Sequence, residues 1–527
     1  MITDGPRDGK SAKERKVAKN SAPDPRTAGI AAPMLAAMKA TDSTVLPPGP
    51  PLPKIAQAAL RLSPYYARFS AACRRRYGSV YRLRMAFVGT VVHLSDPADI
   101  KELFAGDPTV YHAGEANSML TGILGDSSVL VIDEDVHRYR RRLMLAPFRP
   151  DAVARQAPVM AEIAADNIAK WPVGKLFPAA DRMAEITLEV ILRTVIGANE
   201  PARLAELREV LERLMRLGSL ASLCILYPQL QRHGPWRRVR RRIDEVERLL
   251  YAEIAERRAD PDLAARTDAL ALLVRATDDD GRTMTDRELR DQLMTLLIVG
   301  HDTTTSGLSW ALERLTRNPA VLTKAVAAAE ASAAGDPAGE EYLDALVKET
   351  LRIRPVLWDA GRVLTRPTEV AGYRLPAGVL VGASIGNVHH SPRQYPDPDR
   401  FDPDRMLGAT LSPTTWLPFG GGNRRCLGAN LAMGEMKVVL REVLRRVELD
   451  TTTAPGERPK VRAGVLLPQR GARIRVRATR RTAPASPVAS PTAICPVTSH
   501  ATPAPTASAD CATGRNVESI GKAGDPS

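Results

Sequence analysis

One cysteine in this sequence stands where its side chain could bind a metal. Cys426 follows three consecutive glycines in the segment Phe-Gly-Gly-Gly-Asn-Arg-Arg-Cys-Leu-Gly at 419–428, and a long apolar helical pattern begins after it. Glycine backbone reaches conformations that are closed to other residues, and the positive end of the following helix favours a thiolate over a thiol. The loop offers no second soft ligand, so zinc and iron–sulfur clusters fit poorly. A single thiolate would suit the axial position of a haem iron, whereas an isolated cysteine is more often a small buried hydrophobe.

A second candidate site lies in the middle of a long helical pattern. Residues 287–317 predict one helix of about 30 residues, whose centre at 298–305 reads Ile-Val-Gly-His-Asp-Thr-Thr-Thr. Glycine costs about 1 kcal/mol in a helix interior, and threonines add a fraction each. Such a local violation often marks function, although a polar kink is the alternative. Gly300 and Thr303 would open a groove for dioxygen beside an iron. Thr303 would then donate a hydrogen bond to the bound oxygen, and Asp302 would relay protons.

Charged residues elsewhere are spaced to share helix faces. Glu349 and Arg352 are three apart on a predicted helix, and by itself such a pair is usually a solvated salt bridge. His137 and Arg141 are four apart in a basic segment. The densest basic run, at 236–242, has no aromatic platform or zinc finger beside it, which disfavours nucleic acid as a partner.

The elements that must position these residues predict a mainly α fold with small β-sheets. Alternating β-branched residues predict a hairpin from 79–84 and 90–94. From about 134 to 351, Leu and Ala recur at helical spacing. Short strands are predicted again at 370–385 and 473–477.

Composition bounds the class of protein. Five cysteines with no repeated spacing indicate a reducing, cytoplasmic compartment. The net charge of +14 could signal nucleic acid, an acidic membrane face or an acidic protein partner. No apolar run approaches the roughly 20 residues that cross a bilayer, and the N-terminus lacks a signal-peptide pattern. We expect basic disordered residues at 1–44, one large domain at 45–478, and a disordered tail rich in Ala, Pro, Ser and Thr at 479–527.

The segment 419–428 closely resembles the haem-binding signature of the cytochrome P-450 monooxygenases. The spacing Phe-x-x-Gly-x-Arg-x-Cys-x-Gly is complete at Phe419, Gly422, Arg424, Cys426 and Gly428. The centre of the long helix resembles the family's acid–alcohol motif, and 395–405 resembles its proline-rich meander. The resemblance covers roughly 45–478. It implies the cytochrome P-450 fold in a single large haem domain, of a soluble actinobacterial or mycobacterial type.

The resemblance also implies roles for individual residues. It implies haem b with an axial thiolate from Cys426. It assigns the two haem propionates to His137, Arg141, Arg362 and Arg424, and adds Arg405, in preference to Arg400, to a structural lock with Glu349 and Arg352. Val299 departs from the family, which usually has alanine or glycine there, so we expect a narrower pocket. Further pocket residues are expected at 111–129, at 217–230, and at Val356, Leu357 and Trp358.

The function implied is insertion of one oxygen atom from O2 into a hydrophobic small molecule by a monomeric enzyme. Electrons would come from NAD(P)H through a reductase and a ferredoxin, which would dock on a basic thiolate-side face formed by Arg138, Arg140, Arg425, Lys437 and Arg441. Two alternatives stay open: a haem-thiolate enzyme with dehydration, coupling or peroxide chemistry, and a non-catalytic haem sensor or carrier. The intact Asp302–Thr303 pair argues against both.

Overall fold

Helices dominate the part of the chain that the computed structural model describes, which is residues 46–480 without 87, 199, 216–233, 235–236 and 463. In chain order the helices are α1 Lys54–Leu62, α2 Tyr66–Tyr77, α3 Pro97–Ala105, α4 Ala113–Ala116, α5 Thr121–Leu124, α6 Glu134–Leu143, α7 Pro150–Ile168, α8 Ala179–Ile191, α9 Pro201–Met215, α10 Arg237–Ala259, α11 Ala269–Arg275, α12 Asp286–Leu315, α13 Pro319–Ala333, α14 Pro337–Ile353, α15 Ile385–His389 and α16 Ala429–Arg446. The mainly α prediction is confirmed.

The strands form small, separate sheets. They are β1 Val80–Met85, β2 Gly89–Leu94, β3 Tyr111–His112, β4 Leu176–Pro178, β5 Asp359–Leu364, β6 Thr368–Val370, β7 Tyr373–Leu375, β8 Leu380–Ser384, β9 Val447–Leu449, β10 Pro459–Arg462, β11 Val465–Pro468 and β12 Arg473–Thr479. Five of them pair in the order β1-β2-β8-β5-β3, three in the order β4-β12-β9, and β6-β7 and β10-β11 are two-stranded. The predicted hairpin is β1 and β2, in which Val80 pairs with Leu94.

The long helix α12 joins two apolar cores. Its start is fixed by a capping box, in which Thr285 caps the Glu288 N–H and the Glu288 carboxylate accepts from the Thr285 N–H. Leu289, Leu293 and Leu297 pack into a core with α8 to α11. Leu308 and Leu315 pack into a separate core with α7, α13, α14 and α16. The stretch from 299 to 307 contributes to neither core and is therefore free to form a site.

Helix α16, which follows Cys426, crosses α12 closely at Gly307. A Cβ atom on Gly307 would lie 2.8 Å from the sulfur of Met436. Met436 and Leu440 of α16 belong to the same core as Leu308 of α12. One core therefore holds both helices and fixes the Cys426 loop relative to the middle of α12.

The β10–β11 hairpin is tied to the other side of α12. The Ser306 hydroxyl and the Trp310 indole N–H both donate to the Leu466 carbonyl oxygen, each at 2.7 Å. The Leu466 N–H donates to the Val356 carbonyl oxygen at 3.0 Å. These bonds bring the hairpin close to the site described next.

Several predictions from the sequence fall beyond the described residues. The disorder expected at 1–44, most of the disordered tail expected at 479–527 and the pocket stretch at 217–230 lie there, whereas Thr479, the first residue of that tail, ends β12. Among the described helices, none combines the length and the apolar character that a bilayer crossing requires.

Candidate active site

The Cys426 loop is held by its own backbone and by helix α3. The Cys426 N–H donates to the Phe419 carbonyl oxygen at 2.9 Å. Gly420 and Gly422 have φ of 64° and 66°, a left-handed conformation that favours glycine. A Cβ atom on Gly422 would lie 2.1 Å from the Phe104 carbonyl oxygen of α3. The glycines are thus required by the turn and by its close approach to α3.

The Cys426 thiol lies at the start of α16. Gly428 is the N-cap of that helix, and no acidic residue lies in its first turn. Cys426 is exposed, whereas Cys73, the other cysteine of the described residues, is buried. Desolvation by the surrounding protein raises the pKa of the Cys426 thiol. A hydrogen bond from the Gly428 N–H and the charges of Arg141 and Arg425 lower this pKa and partly offset the rise. The loop and the helix alone therefore favour the thiol and not the predicted thiolate. Binding of a metal ion to the sulfur would favour the thiolate.

Three arginines and one neutral histidine from separate segments lie together near this loop. They are His137 and Arg141 of α6, Arg362 of β5, and Arg424 of the loop. Burial, followed by the charges of Arg424, Arg141 and Arg362, lowers the pKa of His137 to about 3. Burial lowers the pKa of Arg362 to about 10, and Arg424 adds to this shift. The Cys426 side chain in turn raises the pKa of Arg141, against a larger lowering by burial.

Asp133 is the carboxylate that pairs with this cationic cluster, and sequence reasoning missed it. The Arg424 guanidinium contacts the Asp133 carboxylate and donates to the Ile132 carbonyl oxygen at 2.6 Å. The Arg362 guanidinium donates only to carbonyl oxygens, those of Gly361 and Gly421. Buried cations that outnumber their carboxylates favour an anionic ligand.

The middle of α12 is partly exposed on two faces, and we call the face that carries Leu296, Val299, Gly300 and Thr303 the accessible side. Between 291 and 313 every residue is buried except Leu296, Ile298, Val299, Gly300, Asp302 and Thr303. The Thr303 hydroxyl donates to the Val299 carbonyl oxygen at 2.8 Å. The Asp302 carboxylate accepts from Arg462 of β10 at 2.7 Å. Arg462 belongs to no motif, so no sequence pattern indicates this contact.

The residues Glu349, Arg352 and Arg405 come together away from the accessible side of α12. Arg352 donates to both oxygens of Glu349, at 2.7 and 2.8 Å. The Arg405 Nε atom lies 3.3 Å from the Glu349 Oε1 atom. Arg400 is 70% exposed and lies near Asp402 instead. The geometry thus favours Arg405 over Arg400.

His389 links this cluster to the Cys426 loop. The Leu417 N–H donates to the His389 Nε2 atom at 2.8 Å, so Nδ1 carries the proton and donates to the Arg352 carbonyl oxygen at 3.0 Å. Burial lowers the pKa of His389 to about 3, so the ring is neutral. No motif in the sequence indicates this role for the histidine at the end of α15.

The predicted pocket residues separate in the structure. Val356 is buried in the core around α13 to α16, and Trp358 is buried against Tyr66, with ring centroids 5.4 Å apart. Leu357 is 41% exposed. Of the predicted pocket residues, Val299 and Leu357 are at least partly exposed, whereas Val356 and Trp358 are buried, and all four stay predictions.

Most of the predicted basic docking face is neutralised within the chain. Arg140 is buried and pairs with Glu288, Lys437 pairs with Glu340, and Arg441 with Glu442. Arg138 pairs with Asp135. The prediction that these four side chains attract an acidic electron donor is therefore corrected. Each lies beside a carboxylate that cancels most of its electric field at a distance. Arg425 is exposed and has no carboxylate partner among the described residues.

The family model for cytochrome P-450 matches residues 47–476. The chain belongs to the cytochrome P-450 family. It is 67% identical to the protein named cytochrome P-450 135B1 of Mycobacterium tuberculosis over 87% of this chain and 97% of that protein. It is 39% identical to the protein named cytochrome P-450 135A1 of the same organism, over 84% and 98% of the two chains.

Solved structures of cytochromes P-450 share this fold. The retinoic acid-bound cyanobacterial CYP120A1 superposes with a TM-score of 0.71 at 24% identity, covering 83% of this chain and all of that chain. Both the family and the mycobacterial type predicted from the sequence are confirmed.

The site fits the cofactor of a cytochrome P-450, which is haem with a cysteine thiolate on its iron. Cys426 presents an accessible sulfur, and the cationic cluster offers guanidinium groups to two propionates. Among the partly exposed residues in the middle of α12, Thr303 and Asp302 are the polar ones. Asp302 is the one side chain of this set that commonly binds metals. The chain is therefore a haem-thiolate monooxygenase, an oxidoreductase.

Proposed function

We propose that this cytochrome P-450 inserts one oxygen atom from O2 into a hydrophobic small molecule, with electrons from NAD(P)H delivered through a reductase and a ferredoxin in the cytoplasm. The observation that supports this most directly is the partly exposed middle of α12, where Thr303 is the polar side chain of an otherwise apolar accessible side and Asp302 lies on the neighbouring face, beside Arg462. When bound, haem supplies the oxygen activation and the oxidation of the substrate. The chain supplies position, protons and exclusion of water.

Asp302 and Thr303 handle protons in this proposal. The Thr303 hydroxyl proton is committed to the Val299 carbonyl oxygen, so it must rotate before it can donate to a bound oxygen molecule. Asp302 is 13% exposed and is held by Arg462, which is itself half exposed. Release from Arg462 would free the carboxylate to accept a proton from solvent and pass it inward.

The substrate class follows from the apolar lining. Leu296 and Val299 flank Gly300 on the accessible side of α12. A lipid, terpenoid or polyketide would bury its apolar surface there. Val299 carries two methyl groups that alanine lacks, so it narrows the space beside Gly300. Comparing substrate binding spectra of the wild type and Val299→Ala tests this, and an unchanged substrate profile would refute it.

The docking of an electron donor is proposed at the thiolate side, on a smaller set of charges than the sequence predicted. Arg425 is exposed in the Cys426 loop, and Arg149 is exposed at the start of α7. The Asn430 side chain of α16 donates to the Phe148 carbonyl oxygen at 3.0 Å, which brings Arg149 near the start of α16. Two exposed cations at this position would guide an acidic ferredoxin.

Turnover with NADPH, a ferredoxin reductase and a ferredoxin tests the proposal against its alternatives. Screening a lipid and steroid library by haem absorbance first identifies a binding substrate. We expect hydroxylated product that requires O2 and the electron chain, and a loss of about 100-fold in rate for Asp302→Asn. Product formed equally well by wild type and Asp302→Asn with hydrogen peroxide alone would favour peroxide chemistry. Binding without any turnover would favour a haem sensor or carrier.

A further inference from the structure

Helix α1 exposes large apolar side chains and buries a polar one, unlike an ordinary surface helix. A surface helix of a globular protein faces its apolar stripe to the core. In α1 the buried residue is Gln57, at 1% exposure, whereas Ile55 is 75% exposed and Leu62 is 67% exposed. The helix therefore presents its large apolar side chains to the outside.

Polar contacts hold α1 in this orientation. The Gln57 amide donates to the Leu52 carbonyl oxygen at 2.7 Å and accepts from the Arg84 N–H of β1 at 2.8 Å. Arg61 pairs with Asp359 at 3.1 Å and stacks over the Tyr66 ring. These contacts face the protein, so rotating Ile55 or Leu62 inward would break them. The outward face is a property of the fold.

The exposed apolar residues of α1 lie on one face. Ile55, Ala59 and Leu62 are exposed at three- and four-residue spacing within the helix, and Leu52 and Tyr65 are exposed just before and after it. We name these five residues the outer face. Single exposed hydrophobic residues are normal on a protein surface. A row at helical spacing is an unpartnered apolar face, which marks an interaction site.

The chain segment that carries the outer face contains cations and no acidic residue. Residues 46–95 contain eight Lys and Arg and no Asp or Glu. Lys54, Arg68, Arg75, Arg76 and Arg84 are exposed, and among the described residues none of them pairs with a carboxylate. An apolar helix face flanked by unpaired cations is typical of helices that lie in the headgroup layer of anionic membranes.

This charge also decides between possible occupants. A second copy of the chain, docked symmetrically, would place one acid-free basic surface against another. Residues 1–45 carry eight Lys and Arg against five Asp and Glu, so this segment would also meet like charge. Leu46, the first described residue, precedes the outer face by six residues. An anionic lipid surface satisfies both the apolar row and the charge.

We propose that the outer face of α1 docks this cytochrome P-450 on the surface of anionic membranes, with Ile55 and Leu62 inserted among the lipids and the surrounding cations on the headgroups. The helix lies on the membrane and does not cross it. This proposal does not depend on the catalytic function, since it needs neither the substrate nor the electron donor.

Vesicle sedimentation of the full-length, haem-loaded protein tests the proposal. The probes are phosphatidylcholine vesicles with and without phosphatidylglycerol. We expect binding to the anionic vesicles that weakens with salt. The double variant Ile55→Ser, Leu62→Ser should bind at least about tenfold more weakly. A matched control is Val173→Ser, Leu176→Ser, which removes two side chains of 49% and 46% exposure elsewhere and should bind as the wild type does.

Three results would overturn the proposal. The first is a wild-type protein that does not bind anionic vesicles. The second is an Ile55→Ser, Leu62→Ser variant that binds these vesicles as tightly as the wild type. The third is a competing occupant. Self-association that this variant abolishes would assign the outer face to a second copy. Binding to polyglutamate but not to vesicles would assign it to an acidic protein. Because all four side chains are exposed, melting temperatures should stay unchanged and will show that each variant is folded.

Discussion

Two clusters of arginines in this cytochrome P-450 differ in how their charge is met. In the first, Glu349 and Arg352 are both 0% exposed, and the Glu349 carboxylate accepts from Arg352 and from the Asp402 N–H. The remaining Arg352 donors reach the carbonyl oxygens of His389 and Pro398 at 2.8 Å. In the second, which holds His137, Arg141, Arg362 and Arg424, Arg424 alone contacts a carboxylate among the described residues, that of Asp133.

The difference separates a structural cluster from a binding cluster. A buried charge is tolerated when its partners satisfy it, and the Glu349 cluster is complete within the protein. The second cluster keeps more cations than carboxylates, and burial lowers the pKa of both Arg362 and Arg424 to about 10. It would gain stability from an added dianion. The comparison therefore predicts opposite effects of removing one arginine from each cluster.

The largest effect is expected in the complete cluster. Arg352→Gln leaves the Glu349 carboxylate buried beside Arg405 alone, and we expect it to lower the free energy of unfolding by about 3 to 5 kcal/mol. Urea unfolding measures this. Arg400→Gln, which changes an arginine at 70% exposure near the same cluster, is the control and should change the free energy by less than about 0.5 kcal/mol. Equal effects would contradict the account.

The opposite effect is expected in the incomplete cluster. Arg362→Gln removes a buried cation whose donors reach only carbonyl oxygens, so the haem-free protein should be as stable as the wild type or more so. Haem affinity should fall by about 10- to 100-fold, because a charge-assisted hydrogen bond to a propionate is lost. Haem transfer to a haem-free globin measures the affinity. A large loss of stability without haem would remove the distinction between the clusters.

A buried acid without a partner extends the comparison. Glu435 of α16 is 2% exposed, and its Oε1 atom has no hydrogen-bond partner in the part of the chain that the structure describes. Burial raises the pKa of Glu435 from 4.5 to about 8. The folded state therefore holds a proton that the unfolded state releases, and stability falls as pH rises from about 4.5 to 8.

Glu435→Gln should remove this dependence on pH. The variant should exceed the wild type in unfolding free energy by about 2 to 4 kcal/mol above pH 8 and match it near pH 4. Unfolding curves measured across this pH range check the prediction. A constant difference between the two proteins would show that Glu435 does not titrate in this interval.

The smallest effect is expected at the surface. Arg425→Gln removes an exposed cation without a carboxylate partner and should slow reduction by an acidic ferredoxin by about 2- to 5-fold at low salt. Lys437 and Glu340 form an ion pair at 2.7 Å, so Lys437→Gln with Glu340→Gln leaves the net charge unchanged and should not alter the rate. Stopped-flow reduction at several salt concentrations compares them. Equal slowing in both variants would mean that steering does not depend on Arg425.

The elements with strong local signals could be predicted from the sequence. Helix α12 was predicted at 287–317 and is observed as Asp286–Leu315, because apolar spacing and the Thr285–Glu288 capping box act within a few residues. The β1–β2 hairpin followed from alternating β-branched residues for the same reason.

Contacts between distant segments could not be read from the chain. Arg140 is predicted on a basic face, but it is buried against Glu288, 148 residues away. Arg462 meets Asp302 across 160 residues and Asp133 meets Arg424 across 291. Trp358 was assigned to the pocket by its position after α14, yet it packs on Tyr66 of α2. Such pairings depend on tertiary packing, and no local pattern encodes them.

The carbon monoxide spectrum of the reduced, full-length protein tests the central claim that Cys426 is the iron ligand. The account predicts the strongly red-shifted absorption band that an anionic sulfur opposite carbon monoxide creates, and its loss in Cys426→Ser while the variant stays folded. A wild type without that band, or a Cys426→Ser variant that retains it, would contradict the account.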